Sequence, residues 1–135
     1  MAAVDADDAL PVPAAIDLAS ATALLADGRT ALLMLRAADI GTGDRVLVEA
    51  AAGGVGSLLV QLAAAAGAHV VAAAGGPRKL ELARSLGATY AIDYRRHGWT
   101  DEVRNAVGPV DVVLDGLGGA VGEAAFTVLA GAGAR

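Results

Sequence analysis

The glycine-rich turn at residues 51–56, AAGGVG, constrains the fold most, because it joins a strand-like run directly to a helix-like run. The preceding residues 45–50, RVLVEA, are mostly apolar and include β-branched valines, and residues 57–66 have an apolar helical composition that ends before Gly67. Parallel strands that are covered on both faces show continuous apolar runs of this kind rather than alternating patterns. The turn therefore predicts a strand and a helix packed closely together in an α/β domain.

The same order of strand and helix recurs along the rest of the chain. Further strands are predicted at 69–74, 89–93 and 110–114, with helices at 78–86, at 120–129 and after an N-cap at Thr100. Two helices, at 17–26 and 30–38, are predicted before the first strand, separated by Asp27-Gly28. The predicted fold class is α/β, a Rossmann-type doubly wound parallel sheet of about four strands after two leading helices.

The domain organisation follows from where this alternation begins. Residues 1–16 are predicted to be a lead-in segment, in which Pro11 and Pro13 favour an extended course. Residues 17–135 are predicted to form one domain, with Asp17 as the N-cap of its first helix.

Charge and composition argue against several classes of function. Ten basic and 15 acidic residues give a net charge of −5, which argues against a nucleic-acid or anionic-membrane surface. The sequence contains no cysteine, so disulfides, thiolate zinc sites and cysteine nucleophiles are excluded. No run of about 18 apolar residues is free of a charge or a glycine, and the acidic N-terminus does not fit a secretory signal. We expect a soluble cytoplasmic protein with no nucleic-acid or membrane partner.

The glycine turn has the spacing of a dinucleotide-binding motif. Ala51 occupies the first glycine position, which forms a tight turn, and Gly53 the second, where backbone approaches a pyrophosphate. Gly56 occupies the third, which allows close packing of helix on strand. The helix N-terminus offers free N–H groups to phosphates. A tight turn that binds no ligand is the alternative interpretation.

The end of the second strand indicates which dinucleotide is bound. Sites that select NAD place an acid there to bind the ribose 2′-hydroxyl, but this chain has AAAGGP at 72–77 and no acid before Glu81. Arg78 and Lys79 follow at the start of the next helix, where cations oppose the helix dipole. This favours a 2′-phosphate and hence NADP(H). The alternative is that both cations are simply solvated.

Seven matching segments lie at residues 27–31, 43–56, 61–63, 67–71, 79–88, 92–95 and 111–119, spread over nearly the whole chain. They resemble the medium-chain dehydrogenase/reductase superfamily. The resemblance is strongest to its zinc-independent quinone oxidoreductase (zeta-crystallin-like) branch, in which the glycine turn typically is AAGGVG. It implies NADPH-dependent reduction of quinones or other conjugated carbonyls, with hydride passing directly to the substrate.

The resemblance also implies cofactor-binding residues. The turn would bind the pyrophosphate, Lys79 the 2′-phosphate, and Tyr94 would lie near the adenosine end. Thr30 would lie toward the nicotinamide and Leu117 along its ribose. Tyr94 could instead be a half-buried aromatic residue at a strand end, and Thr30 an ordinary helix residue. The turn residues are Ala52, Gly53, Gly54, Val55 and Gly56.

Compared with this family, the chain is short and lacks catalytic groups. The resemblance implies an N-terminal catalytic domain outside the sequence, with residues 4–13 matching its last strand, and a nucleotide-binding domain truncated at its C-terminus. No catalytic or metal-ligating residue is predicted, and His69 and His97 are interpreted as structural or solvated. The chain alone is expected to bind cofactor weakly or not at all and not to turn over substrate, whereas the parent protein would be an NADPH-dependent oxidoreductase.

Two other functions remain open at this stage. The chain could be the cofactor-binding core of an enoyl or alkenal reductase, including the reductase module of a polyketide synthase. It could also be a non-catalytic NADP(H)-sensing or interaction module. In each case the fourth strand could lie at an exposed sheet edge and form a homo-oligomer.

Overall fold

The computed structural model describes residues 3–131 and contains one parallel sheet of four strands in the order β3-β2-β1-β4. Val46 in β1 lies opposite Val70 in β2 and Val112 in β4. The strands are β1 (Arg45–Val48), β2 (His69–Ala74), β3 (Tyr90–Asp93) and β4 (Val112–Leu114). The helices are α1 (Leu18–Ala37), α2 (Gly54–Ala65), α3 (Pro77–Ser85), α4 (Trp99–Val107) and α5 (Gly119–Phe126).

Helices cover both faces of the sheet. Val46 and Val48 of β1 point to the face packed by α1, α2 and α3, while Leu47, between them, points to the face packed by α4 and α5. Side chains alternate across a strand, so a strand buried on both faces needs apolar residues at every position. The doubly wound α/β fold predicted from the sequence is therefore confirmed.

The region before β1 forms one helix instead of the two that the sequence predicted. α1 runs unbroken through Asp27 and Gly28, and Asp17 caps it by accepting a hydrogen bond from the Ser20 N–H at 2.9 Å. Glycine in a helix costs about 1 kcal/mol relative to alanine. Tertiary packing outweighs that cost here, because α1 packs on α2 and Ala31, one turn beyond Gly28, is fully buried.

Two smaller expectations were also wrong. The lead-in contains a short 3-10 helix, Ala6–Asp8, capped by Asp5, and residues 4–13 form no strand. α4 begins at Trp99 after Gly98, whose φ of 76° is left-handed, so Thr100 lies inside the helix and is not its N-cap. Trp99 is buried in the cluster on the α4 face of the sheet, and the left-handed Gly98 directly before it is the N-cap.

β4 lies at one edge of the sheet, as the sequence predicted. Beyond the strand itself, Val110 forms an isolated parallel bridge with Leu129, and the Ala130 N–H donates to the Val110 carbonyl at 2.8 Å. The chain after α5 therefore pairs with the segment leading into β4. The outer edge of the three-residue strand Val112–Leu114 has no strand beside it within residues 3–131.

α1 is, by length and composition, apolar enough to cross a membrane, which was not expected from the sequence. Such a helix is weak evidence for a membrane span, since single helices of soluble proteins meet the same criterion. Asp27 and Arg29 lie near its middle, and one side of it packs on α2.

Candidate functional site

The turn between β1 and α2 brings backbone atoms together too closely for side chains. The Gly53 N–H donates to the Ala50 carbonyl at 2.7 Å, and Ala50 has a left-handed φ of 46°. A Cβ on Gly56 would overlap the Ala50 carbonyl, and one on Gly53 would lie 3.1 Å from the same oxygen. Glycine is thus a steric requirement at position 56, where the motif predicts close packing of helix on strand, and position 53 leaves little room for a side chain.

α2 begins at this turn with its N-terminus open. Gly53 is the N-cap and provides no side-chain acceptor. The first N–H groups of an α-helix have no partner within the helix, and the helix dipole adds positive potential there. The turn can therefore receive an anionic group through backbone atoms. On the α1 side, the Asp27 carboxylate contacts Gly54 where a Cβ would be.

Two clefts flank the turn at the carboxyl ends of the strands. The first, of about 350 Å³, lies between α1 and the ends of β1 and β4. The second, of about 150 Å³, lies beyond the ends of β1 and β2. β1 is the strand at which the chain order reverses, and ligands of open α/β sheets bind at such a switch point.

All nine residues predicted for the cofactor site line these two clefts. Gly53 lines both. The first cleft is also lined by Thr30, Gly54, Val55 and Gly56, and the second cleft by Ala52, Lys79, Tyr94 and Leu117. The structure therefore brings the predicted residues together, while their roles toward a cofactor remain predictions.

The second cleft is crowded around Gly75 and Gly76. A Cβ on Gly75 would lie 3.1 Å from the Tyr94 hydroxyl oxygen, and one on Gly76 would lie 3.0 Å from Nη2 of Arg95. Tyr94 is partly buried and Lys79 is exposed. The tyrosine hydroxyl and the lysine thus reach one small space in which no acidic side chain is present among the lining residues.

Arg95 is a further cation at this end that the sequence analysis missed. Its guanidinium forms a 2.7 Å ion pair with Asp93, whose Oδ2 also accepts from the Gly76 N–H at 3.2 Å. The hydrogen bond from Arg95 lowers the pKa of Asp93 to about 2. The signal was available in the sequence, because Arg95 follows β3 and the ends of neighbouring parallel strands meet at one sheet edge.

Thr30 and Met34 of α1 form the outer wall of the first cleft. The Thr30 hydroxyl donates to the Ala26 carbonyl at 2.9 Å. This bond uses the only hydroxyl proton, and the oxygen keeps acceptor capacity toward the cleft.

Glu49 and Asp115 form the inner wall of the first cleft, and the sequence analysis did not single them out. Glu49 is 2% exposed, and neither of its carboxylate oxygens has a hydrogen-bond partner of ordinary geometry among the described residues. Burial, and secondly the neighbouring Asp115 carboxylate, raise the pKa of Glu49 to about 8. The pKa of Asp115 is lowered, first by Glu49 and then by the backbone N–H groups of Gly118 and Leu117. A glutamate between a buried strand and the glycine turn was the available signal.

No catalytic constellation accompanies these clefts in the part of the chain that the structure describes. Within residues 3–131, no group of three or more His, Cys, Asp or Glu side chains could hold a metal ion. His69 and His97 are both exposed, and neither lines the two clefts. The site has the features for binding and orienting a ligand.

The sequence of this chain is similar to those of known dehydrogenases and reductases. A family model described as zinc-binding dehydrogenase matches residues 54–134. A mycocerosic acid synthase-like polyketide synthase of Mycolicibacterium smegmatis is 33% identical over 129 residues, covering 93% of this chain and 6% of that protein. The medium chain reductase pydE of an Acremonium species is 37% identical over 109 residues, covering 78% of this chain and 30% of that protein.

Solved structures show the same relationship. The quinone oxidoreductase of Thermus thermophilus, whose structures include a complex with NADPH, is 40% identical, with a TM-score of 0.79. That match covers 90% of this chain and 40% of the oxidoreductase chain. The CurK enoyl reductase is 37% identical, with a TM-score of 0.80 over 89% of this chain and 37% of the other. This chain thus spans less than half the length of each of these proteins.

The family-model match covers more than half of the chain and includes α2 and β2 to β4. The overall fold agrees with those of the two solved structures, at TM-scores of 0.79 and 0.80. The chain belongs to the zinc-binding dehydrogenase family, within the medium-chain dehydrogenase/reductase superfamily.

Proposed function

We propose that this chain is the NADP(H)-binding domain of a quinone oxidoreductase-like reductase that acts without zinc. The observation that carries the proposal is the convergence of all nine predicted residues on two clefts that meet at the glycine turn. The solved complex of a 40% identical quinone oxidoreductase with NADPH supports the choice of cofactor. Less than half of that protein is matched, so the reaction itself is part of the proposal.

The pyrophosphate is proposed to lie on the turn at residues 53–56. Gly53 and Gly56 have no side chains that would cover the backbone. The N-terminus of α2, which has no side-chain cap, supplies N–H donors and positive potential. The net charge of the whole chain is −5, so this local backbone field supplies attraction that the overall charge does not.

The 2′-phosphate is proposed to lie in the second cleft, near Lys79 and the Tyr94 hydroxyl. β2 ends in Ala74, Gly75 and Gly76 follow it, and no carboxylate lines this cleft to bind a 2′-hydroxyl or repel a phosphate. A lysine binds phosphate as a point charge. This arrangement favours NADPH over NADH.

The nicotinamide is proposed to occupy the first cleft, between Thr30 and Met34 on one side and Gly116 on the other. When bound, NADPH supplies the hydride that reduces a quinone or another conjugated carbonyl. This chain's residues hold and orient the cofactor. The groups that bind the substrate are proposed to come from outside the sequence, since the chain matches 40% of the related quinone oxidoreductase.

An enoyl reductase is the second candidate, favoured by similarity to the CurK enoyl reductase and to a polyketide synthase. Steady-state oxidation of NADPH by a protein containing this domain, with a quinone and with an enoyl thioester, separates the two. A preference for the thioester would replace the quinone assignment. Cofactor binding with no turnover of either substrate would indicate a sensing module instead.

The cofactor assignment is tested by titrating the chain with NADPH and with NADH. We expect Lys79→Glu to weaken NADPH binding by about tenfold or more, because it replaces an attraction for the phosphate by a repulsion. NADH binding should change much less. Arg78→Glu is the matched control, since Arg78 is exposed and lines neither cleft. Equal losses for the two cofactors would contradict the 2′-phosphate role of Lys79.

A further inference from the structure

Sheet register brings two carboxyl groups together at the switch point. Val48 of β1 pairs with Leu114 of β4, so the next residue on each strand, Glu49 and Asp115, continues the same parallel register. The Glu49 N–H donates to the Leu114 carbonyl at 3.1 Å, which extends the pairing beyond the strands. Both residues line the first cleft.

The two carboxyl groups differ in their environment. Asp115 is partly exposed, and its Oδ1 accepts from the Leu117 N–H at 2.8 Å and from the Gly118 N–H at 2.7 Å. Glu49 is almost fully buried and neither oxygen has an N–H or O–H donor in hydrogen-bonding geometry within residues 3–131. A buried carboxylate without a donor or a countercharge is costly, whereas a protonated carboxyl can itself donate.

One carboxylate oxygen of Asp115, Oδ2, accepts neither of these backbone N–H groups and can accept from a protonated Glu49. Both backbone N–H groups bind Oδ1, while Oδ2 lies against Gly122 of α5, in the space that a Cβ would fill. Gly122 therefore leaves the space on α5 that this oxygen occupies. Glu49 is its neighbour across the strand pair, and this proximity favours the charged form of Asp115 and the neutral form of Glu49.

We propose that Glu49 and Asp115 share one proton, and that this pair positions the turn at residues 115–118 against the bound cofactor. Asp115 and Gly116 line the first cleft and Leu117 lines the second, so the turn lies where the two clefts meet. The proposal rests on the proposed function, because it takes the ligand of these clefts to be NADPH. Glu49 is a positioning residue that acts through Asp115.

Among the described residues around the pair, Asp115 is the titratable group next to Glu49. α1 contributes Thr30 and Met34 to the cleft, and α2 contributes only glycine, valine and leucine. Asp27 of α1 lies at the Gly54 rim, where it adds negative potential. On α5, Gly122 faces the pair and Glu123 is exposed. The only titratable group of β2 is His69, at the opposite end of that strand.

Loss of the shared proton would ionise Glu49 and place a second negative charge beside Asp115. This charge would lie close to a cofactor that carries phosphates. Like charges in a site of low dielectric repel strongly, so ionised Glu49 should loosen the turn and repel the cofactor. NADPH affinity is therefore expected to stay constant from about pH 6.5 to 7.5 and to fall above about pH 8, approaching tenfold per pH unit.

The experiment measures NADPH affinity between about pH 6.5 and 9.5 for the chain and for two variants. Glu49→Gln carries an N–H donor that does not ionise in this range, so its affinity should resemble the neutral form and should not vary with pH. Glu49→Leu has similar volume and no donor, and should bind more weakly at every pH. A flat profile for the unaltered chain, or a Gln variant with the same slope, would overturn the proposal.

A readout without cofactor keeps the test independent of the proposed function. The amide NMR signals of Leu117 and Gly118 report on Asp115 directly, because both N–H groups bind its Oδ1. We expect them to shift with a midpoint near pH 8 in the unaltered chain. The shift should be absent in Glu49→Gln, and Asp115→Asn should move the Glu49 carboxyl midpoint to lower pH. A midpoint near the ordinary glutamate pKa would contradict the shared proton even if NADPH does not bind.

Discussion

At the residue scale, Glu49 makes the stability of the fold depend on pH. Its pKa is about 8 when folded and 4.5 as an ordinary glutamate, so between these values only the folded chain holds the proton. The stabilisation that this proton provides is fully present below the unfolded pKa of Glu49. It is lost as the pH rises through the folded pKa. The free energy of unfolding should therefore fall by about 1.4 kcal/mol per pH unit across this window.

Urea unfolding at about pH 5, 6.5 and 8 measures this dependence. Glu49→Gln should remove most of the slope, because its amide does not ionise in this range. Glu81→Gln is the matched control, since Glu81 is an exposed glutamate on α3 and should leave the slope unchanged. If the Glu49 variant kept the slope of the unaltered chain, another group would have to be responsible.

The role of Glu49 could not be predicted from the sequence alone. The run RVLVEA shows that Glu49 ends a strand, but its burial depends on β4, which is more than 60 residues further along the chain. The same limit applies in part to Arg95: its place after β3 was visible in the sequence, but its contact with the glycines after β2 depends on which strands are neighbours. The backbone turn was predictable because steric limits on glycine are local. Side-chain pairs across strands depend on register.

At the element scale, the junction of β1 and α2 depends on Gly56. Gly56→Ala would place a methyl group against the Ala50 carbonyl, so α2 would have to move away from the strand. We expect a loss of about 1–3 kcal/mol in the free energy of unfolding, as overpacking typically costs, together with weaker NADPH binding. Gly41→Ala is the control, because nothing lies within 4 Å of its added methyl group and its φ is not left-handed. Equal stability of the two variants would contradict the steric requirement.

The opposite end of the sheet is held by an ion pair between the starts of two neighbouring strands. Arg45 of β1 donates from Nε and Nη2 to the two carboxylate oxygens of Asp111, at 3.1 and 3.0 Å, and its backbone N–H donates to the same side chain. Arg45→Met should lower the free energy of unfolding by about 1–2 kcal/mol, because charge-assisted bonds exceed neutral ones. Arg29→Met, on the exposed side of α1, is the control. A double-mutant cycle with Asp111→Asn measures the coupling, and a coupling near zero would contradict this assignment.

The helix before the glycine turn was predicted less well than the elements that follow it. β1 to β4 and α2 to α5 were all expected, because apolar runs and glycine breaks alternate without long loops. α1 was divided in two, since Asp27-Gly28 is a helix-breaking pair by local propensity. Contact with α2 overrides that propensity, and such contact is not visible in the sequence of α1 alone.

At the scale of the whole molecule, the outer side of α1 remains apolar and exposed. Leu18, Leu25 and Leu32 recur every seven residues on one side of the helix, and Leu18 and Leu25 are 74% and 61% exposed. Exposed apolar surfaces of this kind bind apolar partners or dyes. The chain should therefore enhance the fluorescence of anilinonaphthalene sulfonate while retaining native circular dichroism.

The double variant Leu25→Gln/Leu32→Gln should remove most of this fluorescence without loss of helix content, because both side chains point away from the packed face. Leu82→Gln on α3 is the control, since Leu82 is 44% exposed but stands apart from the α1 stripe. Unchanged dye binding in the double variant would place the apolar surface elsewhere, for example at the lead-in, where Val4 and Leu10 are also exposed. A loss of native circular dichroism would instead show that these leucines support α1 itself. The dye experiment thus separates an apolar surface of the folded chain from packing within it.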